Sequence, residues 1–274
     1  MRVPFVKMEG AGNDYVFVDA IRHPVPLELA PALARQWSDR HRGIGGDGLV
    51  LLRSSSTAAV AMSMWNADGS AGAMCGNGLR CLAVLARDHG HVATDAFPVE
   101  TPVGVRQVEL LRDAAGVVTG ARVDLGPVHV ERAARALRLG DRTLRYHRGD
   151  AGNPHAVVLL DGDPAEHPVV EDGAAMQTHP DFPGGVNVEF VHVRSDGSLV
   201  QRTFERGSGE TQACGSGAAA AAMVALELGL VPGPEVLVRL RGGDLQVRRG
   251  DGSLVLVGPA RTVFCGEVEL HPQP

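Results

Sequence analysis

The chain repeats itself. Gly12-Asn13-Asp14-Tyr15-Val16-Phe17-Val18-Asp19 recurs as Gly152-Asn153-Pro154-His155-Ala156-Val157-Val158-Leu159, an offset of 140. Gly45-Gly46-Asp47-Gly48-Leu49-Val50 recurs as Gly184-Gly185-Val186-Asn187-Val188-Glu189, and Asn66-Ala67-Asp68-Gly69-Ser70 faces Glu205-Arg206-Gly207-Ser208-Gly209, both at offset 139. Met74-Cys75-Gly76-Asn77-Gly78 matches Ala213-Cys214-Gly215-Ser216-Gly217 at the same offset. Each match is short and rich in glycine, so the constant spacing and order carry the argument. Periods of about 20–50 residues mark solenoids; this one is the size of a domain. It limits the chain to two equivalent domains.

Each half reads as strands plus one prominent helix. Apolar or alternating runs predict strands at 16–18, 49–52, 60–65, 105–111 and 117–125, and at 156–160, 186–193, 199–204, 236–240 and 254–257. Helices are expected at 31–42, 78–89 and 217–229, with Gly90 and Gly229 as stops. The expected fold is α/β (α+β): two pseudo-symmetric domains, each a bent, mainly antiparallel sheet around a central helix. The expected domains are 1–115 with 262–274 and 116–261, the crossover falling near Asp113-Ala114-Ala115-Gly116 and the site in the cleft between them.

Composition excludes several functions. Hydrophobic residues make up 44% of the 274, which argues for a packed core over disorder. A net charge of −6 without a basic stripe speaks against nucleic acid. The longest strongly apolar run, 217–226, is too short to cross a membrane, and no apolar leader opens the chain. Four cysteines at this length form no disulfide scaffold, so a cytoplasmic protein with free thiols is expected. Lys7 is the sole lysine, beside 25 arginines. A pyridoxal phosphate enzyme needs a lysine for its Schiff base, and Lys7, in an apparent first strand, is poorly placed. No cofactor and no metal are expected.

The paired cysteines suggest a specific chemistry. A thiol at a helix N-terminus feels the positive end of the helix dipole, which is expected to lower its pKa below about 8.5. Glycines let the backbone approach a ligand, and the first-turn N–H groups bind an anion. Two such motifs would hold an α-carboxylate with one thiol on each face of the α-carbon. One acts as base and the other as acid, exchanging roles in reverse. Alternatives remain open. Buried cysteines are commonly small hydrophobes, the expectation for Cys81 and Cys265. The six-residue step from Cys75 to Cys81 is not the usual zinc spacing, and C-x-x-C is absent.

The segment Asn66-Ala67-Asp68-Gly69-Ser70-Ala71-Gly72-Ala73-Met74-Cys75-Gly76-Asn77-Gly78-Leu79-Arg80-Cys81 resembles the diaminopimelate epimerase family. So do Glu205 through Gly217, Gly10-Ala11-Gly12-Asn13-Asp14, Gly152 through Ala156 and Asn187-Val188-Glu189-Phe190. The resemblance runs from about residue 5 to about 266. It implies a cofactor-independent, homodimeric, cytoplasmic enzyme interconverting LL- and meso-diaminopimelate for lysine and peptidoglycan synthesis. It implies Cys75 and Cys214 as the acid/base pair, with Gly76, Asn77, Gly215 and Ser216 holding the α-carboxylate. Glu205 would take the α-ammonium; Asn13, Asn66, Asn153, Asn187 and Arg206 would read the distal end. His155 and Glu205 would tune the thiols. By themselves Asn13, Asn66 and Asn153 suit turns, Glu205-Arg206 suits a solvated pair, and His155 suits packing. Gly48 stands where some members carry a glutamine, and Ser216 where threonine is frequent. The family also implies a C-terminal strand, near 262–270, returning to the first domain. Two competing readings are a proline racemase-like enzyme, which would leave the asparagines and Arg206 without a distal charge to read, and a non-catalytic amino-acid-binding or thiol-sensing protein.

Overall fold

A computed structural model describes residues 2–270. It divides the chain into two compact units, one drawn from Met1–Val123 and Gly258–Pro274, the other Asp124–Val257. The divisions fall at 123/124 and 257/258, where 115/116 and 261/262 were expected. Asp113-Ala114-Ala115-Gly116 is instead a hairpin turn joining Gly104–Arg112 to Val118–Gly126.

The repeat extends to strand register. In the first unit Asn13–Asp19 runs parallel to Gly48–Arg53 with Val16 opposite Leu49; in the second Pro154–Leu160 runs parallel to Asn187–Val193 with Ala156 opposite Val188. Leu49 faces Trp65 across an antiparallel pair, and Val188 faces Phe204. Val60 lies beside Val99 in a second parallel step, and Leu199 beside Val238. Phe97 faces Val108, and Val236 faces Val247. Each pair is its counterpart moved by 139 or 140 residues.

A parallel step needs a crossover, and helices supply it. They are α1 (Ala30–Ser38), α2 (Gly76–Asp88), α3 (Val169–Gln177) and α4 (Gly215–Glu227). The remaining pairings of each unit are antiparallel, so the sheets are mainly antiparallel, as expected.

In the first unit Val16, Val18, Leu49 and Leu51 pack on Leu33, Ala34 and Trp37 of α1. Alternation sends Phe17, Val50 and Leu52 to the other face, where α2 packs. These strands are covered on both faces, which is why they read as continuous apolar runs. Leu79 and Leu82 of α2 are fully buried, and each such side chain contributes about 1.5–3 kcal/mol. In the second unit Ala156, Val158, Val188 and Phe190 pack on Val169 and Met176 of α3, and Val157, Glu189 and Val191 face α4. Ala218 through Ala222 of α4 are all at 0% exposure, so the alanine run reflects close wrapping by strands. Gly90 and Gly229 end α2 and α4 with φ of 72° and 69°, the left-handed step that glycine takes without a Cβ clash.

The helix α3 escaped sequence reading. Gly173 sits at its middle, where glycine weakens helical propensity. The glycine serves packing, since a Cβ there would lie 2.4 Å from the Phe204 ring. Cys81 is buried as expected, its thiol pushed up to about 12 by burial, but Cys265 is exposed on the strand Arg261–Glu269. That strand pairs antiparallel with Arg2–Gly10, which is the C-terminal return the resemblance implied. Among the described residues, no helix is long and apolar enough to cross a membrane.

Candidate active site

Cys75 is the N-cap of α2, with extended backbone at φ −126° and ψ 118°; Cys214 caps α4 at φ −123° and ψ 111°. Both helices are 13 residues long and open with Gly-Asn-Gly or Gly-Ser-Gly. A residue at this position hands the first-turn N–H groups to whatever lies beyond the helix end. The backbone conformation of the two thiols is therefore duplicated. Their surroundings are not.

In the first unit the Cys75 thiol donates to Asn13 Oδ1 at 3.3 Å and accepts from the Gly78 N–H at 3.4 Å. Asn77 Nδ2 donates to the same Asn13 oxygen at 3.4 Å, while Asn13 Nδ2 donates to Asp47 Oδ2 at 2.5 Å. Arg80, fully buried, donates to Asn77 Oδ1 at 2.8 Å, the Pro259 carbonyl at 3.2 Å and the Gly76 carbonyl at 3.4 Å. Burial lowers its pKa, and the nearby thiols Cys81 and Cys75 and carboxylate Glu9 act to raise it. A cation that a thiolate stabilises stabilises that thiolate in turn. Asn13, Cys75, Gly76 and Asn77 are thus brought together. Asn66 is apart from them in its contacts: it is exposed in a hairpin turn, its Nδ2 donating to Ser70 Oγ at 3.0 Å.

In the second unit Cys214 is only 5% exposed, with Sγ 3.5 Å from Ser216 Oγ. Its thiol hydrogen-bonds the Glu205 carboxylate. Burial, then the negative charges of Glu205 and Glu189, push Cys214 well above the ordinary thiol value. This corrects the expectation that the helix end lowers it. The hydrogen bonds from Ser216 and the Gly217 N–H do act to lower the pKa, but desolvation and two carboxylates outweigh them. Burial also raises Glu205, whose Oε1 accepts from Thr211 Oγ1 at 2.5 Å.

Behind this thiol lies a buried pair. His155 Nδ1 is 2.9 Å from Glu189 Oε1, and both side chains are at 0% exposure. His155 Nε2 is 2.9 Å from Asn153 Oδ1. Glu189 lies against the first turn of α4: a Cβ at Gly217 would sit 2.4 Å from its Oε1. Asn187 Oδ1 accepts from the Arg206 N–H at 2.9 Å, and the exposed Arg206 guanidinium donates to the Gly184 carbonyl at 3.3 Å. The second unit therefore joins Cys214, Gly215, Ser216 and Glu205 in one group, Asn153 with His155 in another, and Asn187 with Arg206 in a third.

Glu189, Arg80, Asp47 and Thr211 are the residues that sequence reading did not single out. Glu189 had a signal, a carboxylate in the middle of the apolar strand Asn187–Val193. Arg80, between Leu79 and Cys81 on a helix, had a similar one. Asp47 and Thr211 look like ordinary loop and strand-end residues. Gly48 also finds its reason here: a Cβ would lie 2.1 Å from the Trp65 carbonyl oxygen, so the close strand pairing admits no side chain.

The chain matches the diaminopimelate epimerase family model over residues 5–130 and 149–263. The chain belongs to the diaminopimelate epimerase family. The matched segments carry both N-capping cysteines and every side chain described in this site. Diaminopimelate epimerase of Leptospira biflexa serovar Patoc is 40% identical over 98% of this chain and 100% of its own. That of Geobacillus kaustophilus is 42% identical over 96% and 95%. Solved structures extend the fold beyond diaminopimelate epimerases. A Bacillus anthracis phenazine biosynthesis protein of the PhzF family superposes with a TM-score of 0.78 at 15% identity, over 98% of this chain and all of that one. A hydroxyproline epimerase from Agrobacterium vitis gives 0.74 at 18%, over 99% and 94%.

Proposed function

We propose that this protein interconverts LL- and meso-2,6-diaminopimelate without a cofactor, by proton transfer between two thiols, in lysine and peptidoglycan precursor synthesis. Family membership supports the substrate. The observation that carries the mechanism is the matched pair of N-cap cysteines in electrostatic settings of opposite sign: a buried guanidinium acts on Cys75, two carboxylates on Cys214. One proton is shared between two thiols that must act as base and acid. Burial and the carboxylates favour Cys214 as the holder of that proton, and the nearby Arg80 guanidinium favours Cys75 as the group that gives its proton up to serve as base.

The α-carboxylate of the substrate takes the first-turn N–H groups of Gly76, Asn77, Gly215 and Ser216. Its α-ammonium pairs with Glu205, a charge-assisted bond. That pairing offsets one of the carboxylate charges that hold Cys214 protonated, so substrate binding itself readies Cys214 to exchange protons. Asn13, Asn66, Asn153, Asn187 and Arg206 read the distal amino-carboxylate end; an arginine fork grips a carboxylate while amides donate and accept. The α-proton is weakly acidic, and charge develops on the carboxylate oxygens as it leaves. Preorganised donors aimed at such an oxygen contribute roughly 3 kcal/mol each. The same thiols work only when reduced, which supports a cytoplasmic location.

The test is isotopic. LL-diaminopimelate incubated with reduced enzyme in D₂O should gain one deuterium at the inverted α-carbon, read by mass and NMR. Absence of exchange by fully reduced protein would sink the reading. We further propose a homodimer, supported by Val263 and Phe264, 55% and 46% exposed on the strand Arg261–Glu269. Solvent-exposed apolar residues on one strand favour association with a second copy. Sedimentation equilibrium at the mass of one chain would overturn this.

A further inference from the structure

A second group of reactive side chains lies at the opposite end of α2 from Cys75. Asp19 ends the strand Asn13–Asp19, His89 is the C-cap of α2, and His91 follows Gly90. His89 Nδ1 is 2.8 Å and His91 Nε2 is 2.7 Å from the same oxygen, Asp19 Oδ2. The three donor atoms all lie within 4.8 Å of one another. Asp19 is 2% exposed, His91 14% and His89 30%, so the carboxylate is held inside while the imidazoles reach solvent. The carboxylate is also fixed: its other oxygen accepts from the Ile21 and Arg22 N–H groups, each at 3.2 Å.

We propose that Asp19, His89 and His91 form a binding site for a first-row divalent transition metal ion, Zn²⁺ being the best match to this ligand set. Two imidazole nitrogens and one carboxylate oxygen suit borderline metals and not Mg²⁺ or Ca²⁺. Three protein ligands leave room for water or a fourth group. Binding moves each imidazole proton to the ring's other nitrogen, Nε2 of His89 and Nδ1 of His91, freeing the facing lone pair for the metal. With metal–ligand bonds of about 2.0–2.2 Å, the nitrogen–oxygen separations widen by roughly half an ångström, a change that side-chain torsions supply. The helix end favours it as well, since the C-terminus of α2 presents the negative end of its dipole. Arg22 opposes it: its Nε is 3.7 Å from Asp19 Oδ2. That side chain is 54% exposed; turning outward also gives up its hydrogen bond to the His89 carbonyl, which water can replace at this exposed position. α2 spans 13 residues, about 20 Å at 1.5 Å per residue. The metal therefore sits far from Cys75 along the helix, as a clip between the helix end and the strand end.

The experiment titrates untagged full-length protein with Co²⁺ and follows the visible ligand-field bands. One equivalent should bind without the sulfur-to-cobalt charge-transfer absorption that cysteine ligation gives. The bands should persist in a Cys75→Ser/Cys214→Ser variant. His89→Gln and His91→Gln should each weaken binding at least tenfold, with circular dichroism showing both folded. Zn²⁺ should raise the melting temperature of the parent protein and not of His91→Gln. Failure of Co²⁺ to bind, or bands that vanish with the two catalytic thiols and survive loss of either histidine, would overturn the site and leave the group a hydrogen-bonded pin.

Discussion

An enzyme in which Cys214 is alanine should lose epimerisation by roughly 10²–10⁴-fold or more, the range of a general acid or base, and so should one in which Cys75 is alanine. The two losses differ in what survives. With Cys75 alone, a base remains on one face of the α-carbon and no donor on the other. The variant should still remove the α-proton of whichever isomer presents it to Cys75, and return deuterium from D₂O to the same face without inversion. With Cys214 alone, the complementary isomer should exchange. Exchange is expected to be slower for Cys214 alone, because burial and the charges of Glu205 and Glu189 hold that thiol protonated. Reading exchange and inversion separately, for each isomer and each variant, distinguishes two opposed thiols from one thiol assisted by water. If one single-cysteine variant exchanged both isomers, or if either retained full turnover, the two-thiol mechanism would fail. Binding should remain close to parental in both, since a cysteine-to-alanine change leaves the first-turn amides of α2 and α4 in place.

The architecture was legible in this sequence because duplication copied registers as well as residues. A constant offset in four short motifs predicted equivalent domains, and the strand pairs Leu49–Trp65 and Val188–Phe204 follow that offset. The matched placement of the two cysteines at helix starts was legible because each precedes Gly-x-Gly and an apolar helical run. Three things were not. The helix α3 hid because Gly173 breaks its pattern, for a reason seated on a different strand, at Phe204. The domain limits hid because Asp113–Gly116 is a strong turn signal whether it joins domains or strands. The electrostatics of Cys214 hid because the helix end and the two carboxylates act on it with opposite sign. Glu189 is 25 residues from Cys214 in sequence, and only the pairing of its strand places it against the first turn of α4. Sequence gives the dipole and leaves out the desolvation that outweighs it.

Arg80→Met should raise the pH at which Cys75 becomes reactive and lower the rate at neutral pH, the largest effect expected from any residue outside the substrate contacts. Arg80 is fully buried, and its hydrogen bonds go to carbonyl and amide oxygens. Methionine fills most of the volume but leaves the Pro259 carbonyl and Asn77 Oδ1 without this donor, at about 1–3 kcal/mol each. Relief of the buried charge offsets part of that, for a net loss of about 1–3 kcal/mol and a melting temperature lower by roughly 2–10 °C. The catalytic effect has its own sign. A cation favours the thiolate and holds a thiol pKa down, so removing it moves that pKa up. The acid limb of the rate profile should therefore shift to higher pH, and so should the pH at which iodoacetamide alkylates Cys75, mapped by peptide mass. Structural damage alone would lower the rate at every pH, whereas a lost cation lowers it near neutrality and lets it recover in alkali. Arg80→Lys keeps the charge without the planar fork and should restore the pH midpoint while recovering only part of the stability. An unshifted acid limb in Arg80→Met, with the protein folded, would remove Arg80 from the control of Cys75 and leave its role as the anchor of Asn77.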